Sequence, residues 1–347
     1  MNQDIISYNS HRQQELINNA RLISGNSHPE LCKAISNITK IKHIECDVQY
    51  FSNGEIRPII KESVRGKHIY LVQTGTFTKI NSKRTVNDYI MEMLLLTKTC
   101  IRSGAKSITA IMPCYPYARQ DKKDNPRGSI SAADIAHFLE FAGVNRIVCF
   151  ELHCAQIQGF FSIPCDNLYV HDLIIDHLKE NVFKPNINLR DNYVVISPDE
   201  GALKKANSFA MDLNLSLMVI SKERDYTKLN QVERMTIIGD PILLQNKTAI
   251  IVDDMCDTFG TVSRASELLV QSGVNNVILC VTHGIFSGPA IERMNNCRYI
   301  SHVICSNSIP QTENMKLCTK LKTFDISPKI GNVILNLVYG KSISELF

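Results

Sequence analysis

Residues Thr248 to Thr261 read TAIIVDDMCDTFGT, and we expect the rest of the chain to be organised around this stretch. Small and apolar residues from Ala249 to Val252 predict a short buried strand, and two carboxylates, Asp253 and Asp254, follow where that strand would end. A turn rich in hydroxyl groups comes next. The residues beyond it predict a helix by their spacing of three and four: Val262, Ala265, Leu268, Leu269 and Ser272.

The turn from Asp257 to Thr261 has the composition of an anion-binding site. A loop that opens a helix presents unpaired backbone N–H groups at the positive end of the helix dipole. Gly260 allows the backbone to approach an anion, and the hydroxyl groups of Thr258 and Thr261 add donors. Asp253 and Asp254 suit sugar hydroxyls or Mg²⁺ instead. The stretch therefore predicts a sugar phosphate as ligand, although an acidic pair at a strand end also occurs in many α/β proteins.

Composition indicates an intracellular protein with two domains. The 347 residues can form two cores, and 44% hydrophobic and 21% charged residues are typical of a globular chain. A net charge of +4 is too small to indicate nucleic-acid binding. The 12 cysteines include no C-x-x-C pair, which favours reduced thiols. Without a membrane-length apolar run or a signal peptide, we expect a cytoplasmic protein that binds no membrane, with residues 1–17 as a loosely ordered extension.

An internal repeat predicts the domain organisation. The segments Val86–Pro113, Ser131–Leu152 and Val262–His283 each read as helix, glycine stop and strand, which predicts parallel α/β sheets. Two longer segments, His68–Tyr117 and Thr248–Gly288, match from strand to aromatic loop. We therefore predict a duplicated domain in which only the second copy kept the acidic loop, with domains at residues 18–169 and 170–347.

Polar side chains follow other predicted strands. His153 and Asp199 each come at or just after a strand end, where ligands of α/β sheets gather, and together they could hold a hydrated Mg²⁺. A lone strand-end histidine is more often structural. The loop from Pro116 to Asp124 is rich in charge and suits polyphosphate, and Lys222 and Arg224 follow the strand Leu217–Ile220 on what reads as a mobile loop.

Seven strings in order resemble one family, the ribose-phosphate diphosphokinases (PRPP synthases) of the phosphate-activated hexameric class. The strings are FSNGE, PYARQDKKD, LHxxQIQGFF, SPD, KER, DDMxDTxGT and THGIFSGPA, and the resemblance runs from about Ser24 to Phe347. It implies tandem phosphoribosyltransferase-like domains, each a mostly parallel sheet flanked by helices. It also implies a Mg²⁺-dependent transferase that moves the diphosphoryl group of ATP to the 1-hydroxyl of ribose 5-phosphate, giving PRPP and AMP for nucleotide biosynthesis.

The resemblance also implies roles for individual residues. Ribose 5-phosphate would be bound by Asp253, Asp254, Asp257, Thr258, Gly260 and Thr261. ATP would be bound by Arg119, Gln120 and Asp124, with Phe51, Asn53 and Glu55 from a neighbouring copy in a homohexamer. His153 and Asp199 would bind Mg²⁺, and Lys222 and Arg224 would be catalytic. An allosteric site, activated by phosphate and inhibited by ADP, would comprise Gln158, Asp166, Asn167, Ser342, Ser344 and Phe347, with Arg127 from a neighbour.

Several residues depart from the family pattern. Glu151 replaces an Asp, Ala155 replaces a Ser of the regulatory site, and Glu200 and Ala202 stand in the turn after Asp199. Glu200 adds negative charge, and we expect Ala202 to narrow backbone freedom there. These changes leave a second hypothesis, that of a non-catalytic subunit that regulates an active partner.

Overall fold

The computed structural model describes residues 2–76, 84–123, 125–224 and 233–346, which form two compact units. The first unit comprises Met1–Tyr169, Ser308–Pro310 and Asp325–Phe347, and the second comprises Val170–Asn307 and Gln311–Phe324. The C-terminal segment thus groups with the first unit, whereas a division at residue 170 places it in the second domain. Within the described part of the chain, no helix has the length and apolar character needed to cross a membrane.

Alternating strands and helices build the first unit. In chain order they are α1 (Asn2–Asn19), β1 (Ala20–Ser24), α2 (Pro29–Thr39), β2 (His43–Ile44), β3 (Cys46–Tyr50), β4 (Ile56–Ile60), β5 (His68–Val72), α3 (Val86–Arg102), β6 (Ser107–Met112), α4 (Ser131–Ala142), β7 (Arg146–Phe150) and β8 (Cys165–Leu168). The parallel sheet has the order β2-β1-β5-β6-β7-β8, and β3 and β4 form a separate antiparallel hairpin.

The second unit repeats this plan. Its elements are α5 (His171–Asn181), α6 (Leu189–Asn192), β9 (Tyr193–Ser197), α7 (Leu203–Asp212), β10 (Ser216–Arg224), β11 (Glu233–Ile238), β12 (Thr248–Cys256), α8 (Gly260–Gln271), β13 (Asn276–Gly284), α9 (Ala290–Asn296), β14 (Ile300–Ser306), α10 (Thr312–Leu317) and β15 (Leu321–Phe324). The last helix, α11 (Ser327–Val338), belongs to the first unit. The sheet order is β11-β10-β9-β12-β13-β14-β15, parallel except for the β10–β11 pair.

The predicted fold class is confirmed, and the sheets owe their stability to buried aliphatic strands. Ile23, Leu71 and Ile147 are fully buried in the first unit, as are Val194, Ile251 and Leu279 in the second. Burial of such side chains is the main stabilising contribution to a parallel sheet covered by helices. Gly104, Gly143 and Gly273 have the predicted positive φ values, 84°, 104° and 104°, at the ends of three helices. The twelve cysteines, all within the described residues, are free thiols as expected.

The N-terminal extension includes helix α1, whose last turn is held by residues of the first unit. The Lys67 Nζ and Arg21 Nη1 atoms donate hydrogen bonds of 2.9 and 2.8 Å to the Asn18 carbonyl oxygen. A helix leaves its last carbonyl groups without intrahelical partners, so these donors stabilise its C-terminal end. Neither contact has a local sequence signature.

Helix α11 explains why the C-terminal segment groups with the first unit. It packs on α2, and a Cβ atom on Gly331 would lie 2.9 Å from the Ile38 side chain. This close approach of the two helices requires glycine at position 331.

Candidate functional site

Strand β12 carries the carboxylates of the acidic loop, by which we mean residues 253–261. The strand continues to Cys256 and does not end at Val252, because Asp253, Met255 and Cys256 pair with residues 281, 283 and 284 of β13. Asp253 and Asp254 therefore lie near the carboxyl end of a strand. Because alternate residues of a strand face opposite sides of the sheet, these two neighbouring side chains face opposite sides. Their position at its carboxyl end agrees with the sequence analysis.

Phe259 supplies the sharp bend of the acidic loop. This residue has a left-handed φ of 64°, and its ring is buried, so the core holds a backbone conformation that a non-glycine residue rarely adopts. The Ile285 and Phe286 N–H groups donate to the Cys256 carbonyl oxygen at 2.9 and 3.2 Å and fix the start of the bend. Gly260, which directly follows Phe259, has no left-handed φ. It allows close approach of Arg293, whose Nη1 atom would lie 3.2 Å from a Cβ at that position.

The beginning of α8 has the features of an anion site. Phe259, the N-cap residue, makes no side-chain cap, and the first turn contains no acidic residue, so neither competes with an anion for the first N–H groups. Arg293 Nη1 donates a 3.0 Å hydrogen bond to the Thr258 carbonyl oxygen and brings positive charge to the loop. Together these features suit a phosphate group.

Three carboxylates gather where β9 and β12 end. Burial raises the pKa of Asp253 well above its usual range, and the neighbouring Asp254 and Asp199 carboxylates raise that pKa further. Lys205 Nζ donates to the Asp253 carbonyl oxygen at 2.7 Å and to Thr282 Oγ1 at 3.0 Å, placing an ammonium group beside them. Such a cluster favours ligands that bring positive charge or hydroxyl donors.

Asp257 is held by a partner that the sequence analysis did not identify as functional. Ser287 Oγ donates a short hydrogen bond to Asp257 Oδ1. Ser287 lies in the aromatic loop after β13, while Lys205 and Arg293 lie on helices α7 and α9. The aromatic loop and the string THGIFSGPA both contain Ser287, whereas no sequence signal marked Lys205 or Arg293 as functional.

The turn after β9 accommodates its unusual residues. Asp199 Oδ1 accepts a 3.1 Å hydrogen bond from the Ala202 N–H, and Ser197 Oγ donates to the Asp199 carbonyl oxygen at 2.7 Å. Ala202 has φ of −82° and ψ of −4°, an ordinary helical conformation. Alanine adopts this conformation readily, so the narrower backbone freedom expected at Ala202 causes no strain in this turn. Glu200 is exposed.

Lys222 and Arg224 lie on a strand, contrary to the loop expected from the sequence. Their backbones belong to β10, where Lys222 pairs with Met235 and Arg224 pairs with Glu233 of β11. Antiparallel pairing with β11 extends β10 beyond the buried apolar run that predicted its end at Ile220. The segment 225–232, predicted to be mobile, lies outside the described residues.

In the first unit, the candidate ATP-side residues lie on exposed loops. Arg119 and His153 follow the neighbouring strands β6 and β7, so their loops share one edge of the sheet. Gln120 Oε1 accepts from Ser131 Oγ at 2.7 Å. His153 follows Glu151, which is buried and has a left-handed φ of 37°. Asp124 lies outside the described residues.

The tip of the β3–β4 hairpin carries the remaining ATP-side candidates. The Phe51 N–H donates to the Glu55 carbonyl oxygen at 2.9 Å, and Asn53 Oδ1 accepts from the Glu55 N–H at 3.1 Å. Arg57 lies over the Phe51 ring, 5.5 Å from its centroid, yet half of the Phe51 side chain is exposed. The tip is thus ordered and accessible.

The candidate regulatory residues of the first unit have diverse surroundings. Asp166 forms a 2.5 Å ion pair with Arg146, and the buried Asn167 accepts from the Leu152 N–H at 2.9 Å. The Gln158 side chain donates to the Ala155 carbonyl oxygen at 2.9 Å. Ser342 and Ser344 are joined by a 3.0 Å hydrogen bond, and Arg127 has a left-handed φ of 65°. Phe347 lies outside the described residues.

The predicted metal ligands fit a Mg²⁺ ion that is coordinated mainly by phosphate oxygens and water. Of the predicted metal ligands, His153 lies in the first unit and Asp199 in the second. The described residues contain no group of three or more His, Cys, Asp or Glu side chains arranged to hold a metal ion. Mg²⁺ needs few protein ligands when phosphate oxygens and water complete its octahedron, so carboxylates such as Asp199 are suitable partners.

Two family models match the chain. Residues 20–143 match the N-terminal domain of ribose phosphate pyrophosphokinase, and residues 227–347 match the phosphoribosyl synthetase-associated domain. The crystal structure of phosphoribosylpyrophosphate synthetase from Mycobacterium smegmatis is 35% identical, with a TM-score of 0.81, over 93% of this chain and 99% of that one. The chain belongs to the ribose-phosphate diphosphokinase family. It is a diphosphotransferase of nucleotide biosynthesis, and neither comparison favours the alternative of a non-catalytic subunit.

A weaker likeness extends to purine phosphoribosyltransferase from Pyrococcus horikoshii. That structure is 21% identical and covers 34% of this chain and 74% of its own, with a TM-score of 0.27. A similarity at that level adds nothing to the assignment.

Proposed function

We propose that the chain transfers the β,γ-diphosphoryl group of MgATP to the 1-hydroxyl oxygen of ribose 5-phosphate. The observation that carries this proposal is the acidic loop, which joins a cluster of carboxylates to a helix N-terminus without an acidic first turn. The new bond joins the sugar O1 to the β-phosphorus, the bond from the β-phosphorus to the α,β-bridging oxygen breaks, and AMP leaves. The hydroxyl proton passes to solvent, since no side chain stands out as a general base.

Ribose 5-phosphate fits the two ends of the acidic loop. Its 5-phosphate would accept hydrogen bonds from the backbone and hydroxyl groups of Thr258, Gly260 and Thr261. Its ring hydroxyls would donate to Asp253, Asp254 and Asp257. Arg293 and Ser287 support this assignment, because they hold Thr258 and Asp257 in place before the sugar arrives.

ATP would lie against the loop that carries Arg119, Gln120 and Asp124. Phe51, Asn53 and Glu55 would reach it from a neighbouring copy, and the exposed, ordered hairpin tip supports such a role. Arg119 suits polyphosphate because its guanidinium can pair with two phosphate oxygens at once.

Charge neutralisation would come from Lys222, Arg224 and a bound cation. His153 and Asp199 would hold Mg²⁺, which when bound supplies positive charge that screens the phosphate oxygens. Lys222 and Arg224 would donate to the oxygens of the group in transfer. Phosphoryl transfer depends mainly on positioning and electrostatic stabilisation, so this set requires no covalent intermediate.

Assembly and regulation complete the proposal. The family resemblance supports a cytoplasmic homohexamer activated by phosphate and inhibited by ADP. The effector site would combine Gln158, Asp166, Asn167, Ser342, Ser344 and Phe347 with Arg127 of a neighbouring copy. The ion pair of Asp166 with Arg146 brings a guanidinium group to this set.

The substitution Asp254→Ala tests the assignment of the acidic loop. Loss of a carboxylate that orients the sugar should lower kcat/KM by about a hundredfold or more, while ATP binding stays measurable. ³¹P NMR of the wild-type reaction should show PRPP and AMP in equal amounts, and calorimetry should report ATP affinity for both proteins. Asp191→Asn, an exposed carboxylate of α6, is the control. Equal loss of ATP binding and activity would contradict the assignment.

A further inference from the structure

The two units correspond residue by residue around their central strands. His68 begins β5 and pairs with Ala20 of β1 and Ser107 of β6, just as Thr248 begins β12 and pairs with Tyr193 of β9 and Asn276 of β13. Gln73 and Asp253 each lie five residues after these two positions. Gln73 therefore stands where the second unit has Asp253. The sheet orders β2-β1-β5-β6-β7-β8 and β10-β9-β12-β13-β14-β15 also match.

Glu92 corresponds to a residue of the anion-binding turn. Helices α3 and α8 each end two residues before a glycine with positive φ, Gly104 and Gly273. Glu92 and Thr261 both lie twelve residues before that glycine. The first unit thus has a carboxylate where the second has a threonine proposed to bind phosphate.

The Glu92 carboxylate is fully buried and accepts hydrogen bonds on both oxygens. Oε1 accepts from the Asn26 backbone N–H and from Gln73 Nε2 at 3.2 Å. Oε2 accepts from Asn26 Nδ2 at 3.3 Å and from Tyr50 OH at 3.2 Å. Burial raises the pKa of Glu92, and these four donors oppose that effect. The donors are those that an anion would use, among them a backbone N–H in the loop that follows β1.

The space around this carboxylate is closed. Gln73, Ser27 and Thr74 are fully buried; Ser27 Oγ donates to Gln73 Oε1 at 2.6 Å and accepts from the Thr74 N–H at 2.8 Å. A Cβ atom on Gly25 would overlap both Gln73 Oε1 and Glu92 Oε1. Side chains of the unit itself therefore fill the end of the sheet that corresponds to the acidic loop.

Two of these contacts reach the β3–β4 hairpin. Tyr50 is the last residue of β3 and directly precedes Phe51, and its hydroxyl bonds Glu92. Asn26, held by the same carboxylate, donates through Nδ2 to the Val48 carbonyl oxygen at 3.2 Å. Arg84 lies over the Tyr50 ring. The hairpin is not part of the parallel sheet, so these contacts contribute to its position together with its packing on α3 and on the core of the unit.

We propose that Glu92 is an internal substitute for the ligand anion in the first unit, closing that unit's counterpart of the acidic loop and positioning the β3–β4 hairpin for ATP binding. Glu92 is a positioning residue that acts through Tyr50 and Asn26 and does not touch substrate. The proposal rests on the proposed function for its ATP role, because the hairpin tip carries Phe51, Asn53 and Glu55.

Steady-state kinetics of Glu92→Gln test this role. Glutamine keeps the shape but turns an NH₂ group towards hydrogen-bond donors, so the KM for ATP should rise about tenfold while the KM for ribose 5-phosphate changes less than about twofold. Tyr50→Phe should raise the KM for ATP by a smaller factor. The double variant should have a KM for ATP no higher than that of Glu92→Gln alone. Glu140→Gln is the matched control, since this α4 carboxylate also accepts from backbone N–H groups, those of Ser162 and Ile163, which lie outside the hairpin. Unchanged or equally changed KM values would overturn the proposal.

A second readout does not depend on activity. The chain contains no tryptophan, so Phe51→Trp introduces a single fluorophore at the hairpin tip. In the Glu92→Gln background, the indole should show lower anisotropy and faster acrylamide quenching than in the otherwise wild-type chain; identical values would overturn the proposal. If Glu92→Gln does not fold, Tyr50→Phe serves in its place. A wild-type chain without diphosphokinase activity would refute the proposed function, and the fluorescence comparison would still decide the role of Glu92.

Discussion

Arg293 links helix α9 to the acidic loop at the scale of single residues. Its guanidinium bonds the Thr258 carbonyl oxygen, and a Cβ atom at position 260 would make a tight contact of 3.2 Å with it. The same side chain lines a cavity of about 360 Å³ with residues such as Ser263, Glu267 and Tyr299. Arg293 thus ties the anion-binding turn to a neighbouring helix and adds to the local positive potential.

Replacing Arg293 with alanine should weaken ribose 5-phosphate binding. Loss of a charge-assisted hydrogen bond at an exposed site should raise the KM for ribose 5-phosphate about three- to tenfold, with the KM for ATP nearly unchanged. Initial rates measured with each substrate varied in turn would show this. Arg298→Ala removes an exposed guanidinium that lines the same cavity, and it should leave both constants unchanged. Similar effects of the two variants would show that general surface charge, and not the bond to Thr258, matters.

Asp253 should make stability depend on pH in a defined direction. Folding raises its pKa, so the native state keeps the proton to higher pH than the unfolded chain does. Its stabilising contribution is complete below its ordinary pKa of about 4 and is lost as pH rises through the raised native value. The asparagine of Asp253→Asn cannot ionise. The melting temperature of this variant should therefore rise relative to that of the wild type as the pH increases from 4 to 8. Calorimetry would measure this difference, and a difference independent of pH would contradict the raised pKa.

The sequence predicted the members of the acidic loop but not the residues that hold them. Asp253, Asp254 and Thr258 lie within six consecutive residues, and their residue types carry the chemistry. Lys205 and Arg293 reach the loop from helices 48 and 35 residues away, and such long-range contacts have no local pattern. The bend at Phe259 was also missed, because burial of its ring overrides the usual preference for glycine.

The loop after β1 is packed closely against the buried side chains beside it. Gly25 leads from β1 towards α2 and lies directly against Gln73 and Glu92. This approach requires a residue without a side chain, whatever the value of φ.

Gly25→Ala should destabilise the first unit. The added methyl group would displace buried hydrogen-bonded oxygens, which should lower the free energy of unfolding by about 1–3 kcal/mol. Urea denaturation followed by circular dichroism would measure the loss. Gly159→Ala is the control, because a Cβ there meets nothing within 4 Å. Equal stability of the two variants would argue against a closed network around Glu92.

The sequence predicted the bounds of elements correctly where burial determines them. It predicted them wrongly where pairing with a neighbouring strand determines them. Apolar runs located β5, β6 and β13, and glycines located three helix ends. Strands β10 and β12 were predicted too short, because their polar ends are held by β11 and β13 rather than by burial.

The whole molecule consists of one fold used twice. The two copies differ in the residues at the carboxyl ends of their central strands. In the second unit, carboxylates and an uncapped helix start form the acidic loop; in the first, Glu92 and Gln73 fill the corresponding place. The repeat was visible in the sequence because both copies kept the same glycines. The return of α11 to the first unit was not visible, since it depends on packing against α2.

Regulation by phosphate should be weak in this chain because Ala155 lacks the hydroxyl that the family pattern provides. Ala155 begins a 3₁₀ helix that also contains Gln158. Ala155→Ser should therefore increase the activation produced by phosphate, without changing activity at saturating phosphate. Rates over a range of phosphate concentrations would test this, with Ala133→Ser on α4 as control. Strong activation of the wild-type chain would show that a serine at position 155 is dispensable.

The most direct measurement is AMP release by the purified chain from MgATP, with and without ribose 5-phosphate. If the acidic loop binds ribose 5-phosphate for diphosphoryl transfer, AMP should appear only when the sugar is present, together with an equal amount of PRPP. No AMP release from a folded chain that still binds ribose 5-phosphate would contradict the diphosphokinase mechanism.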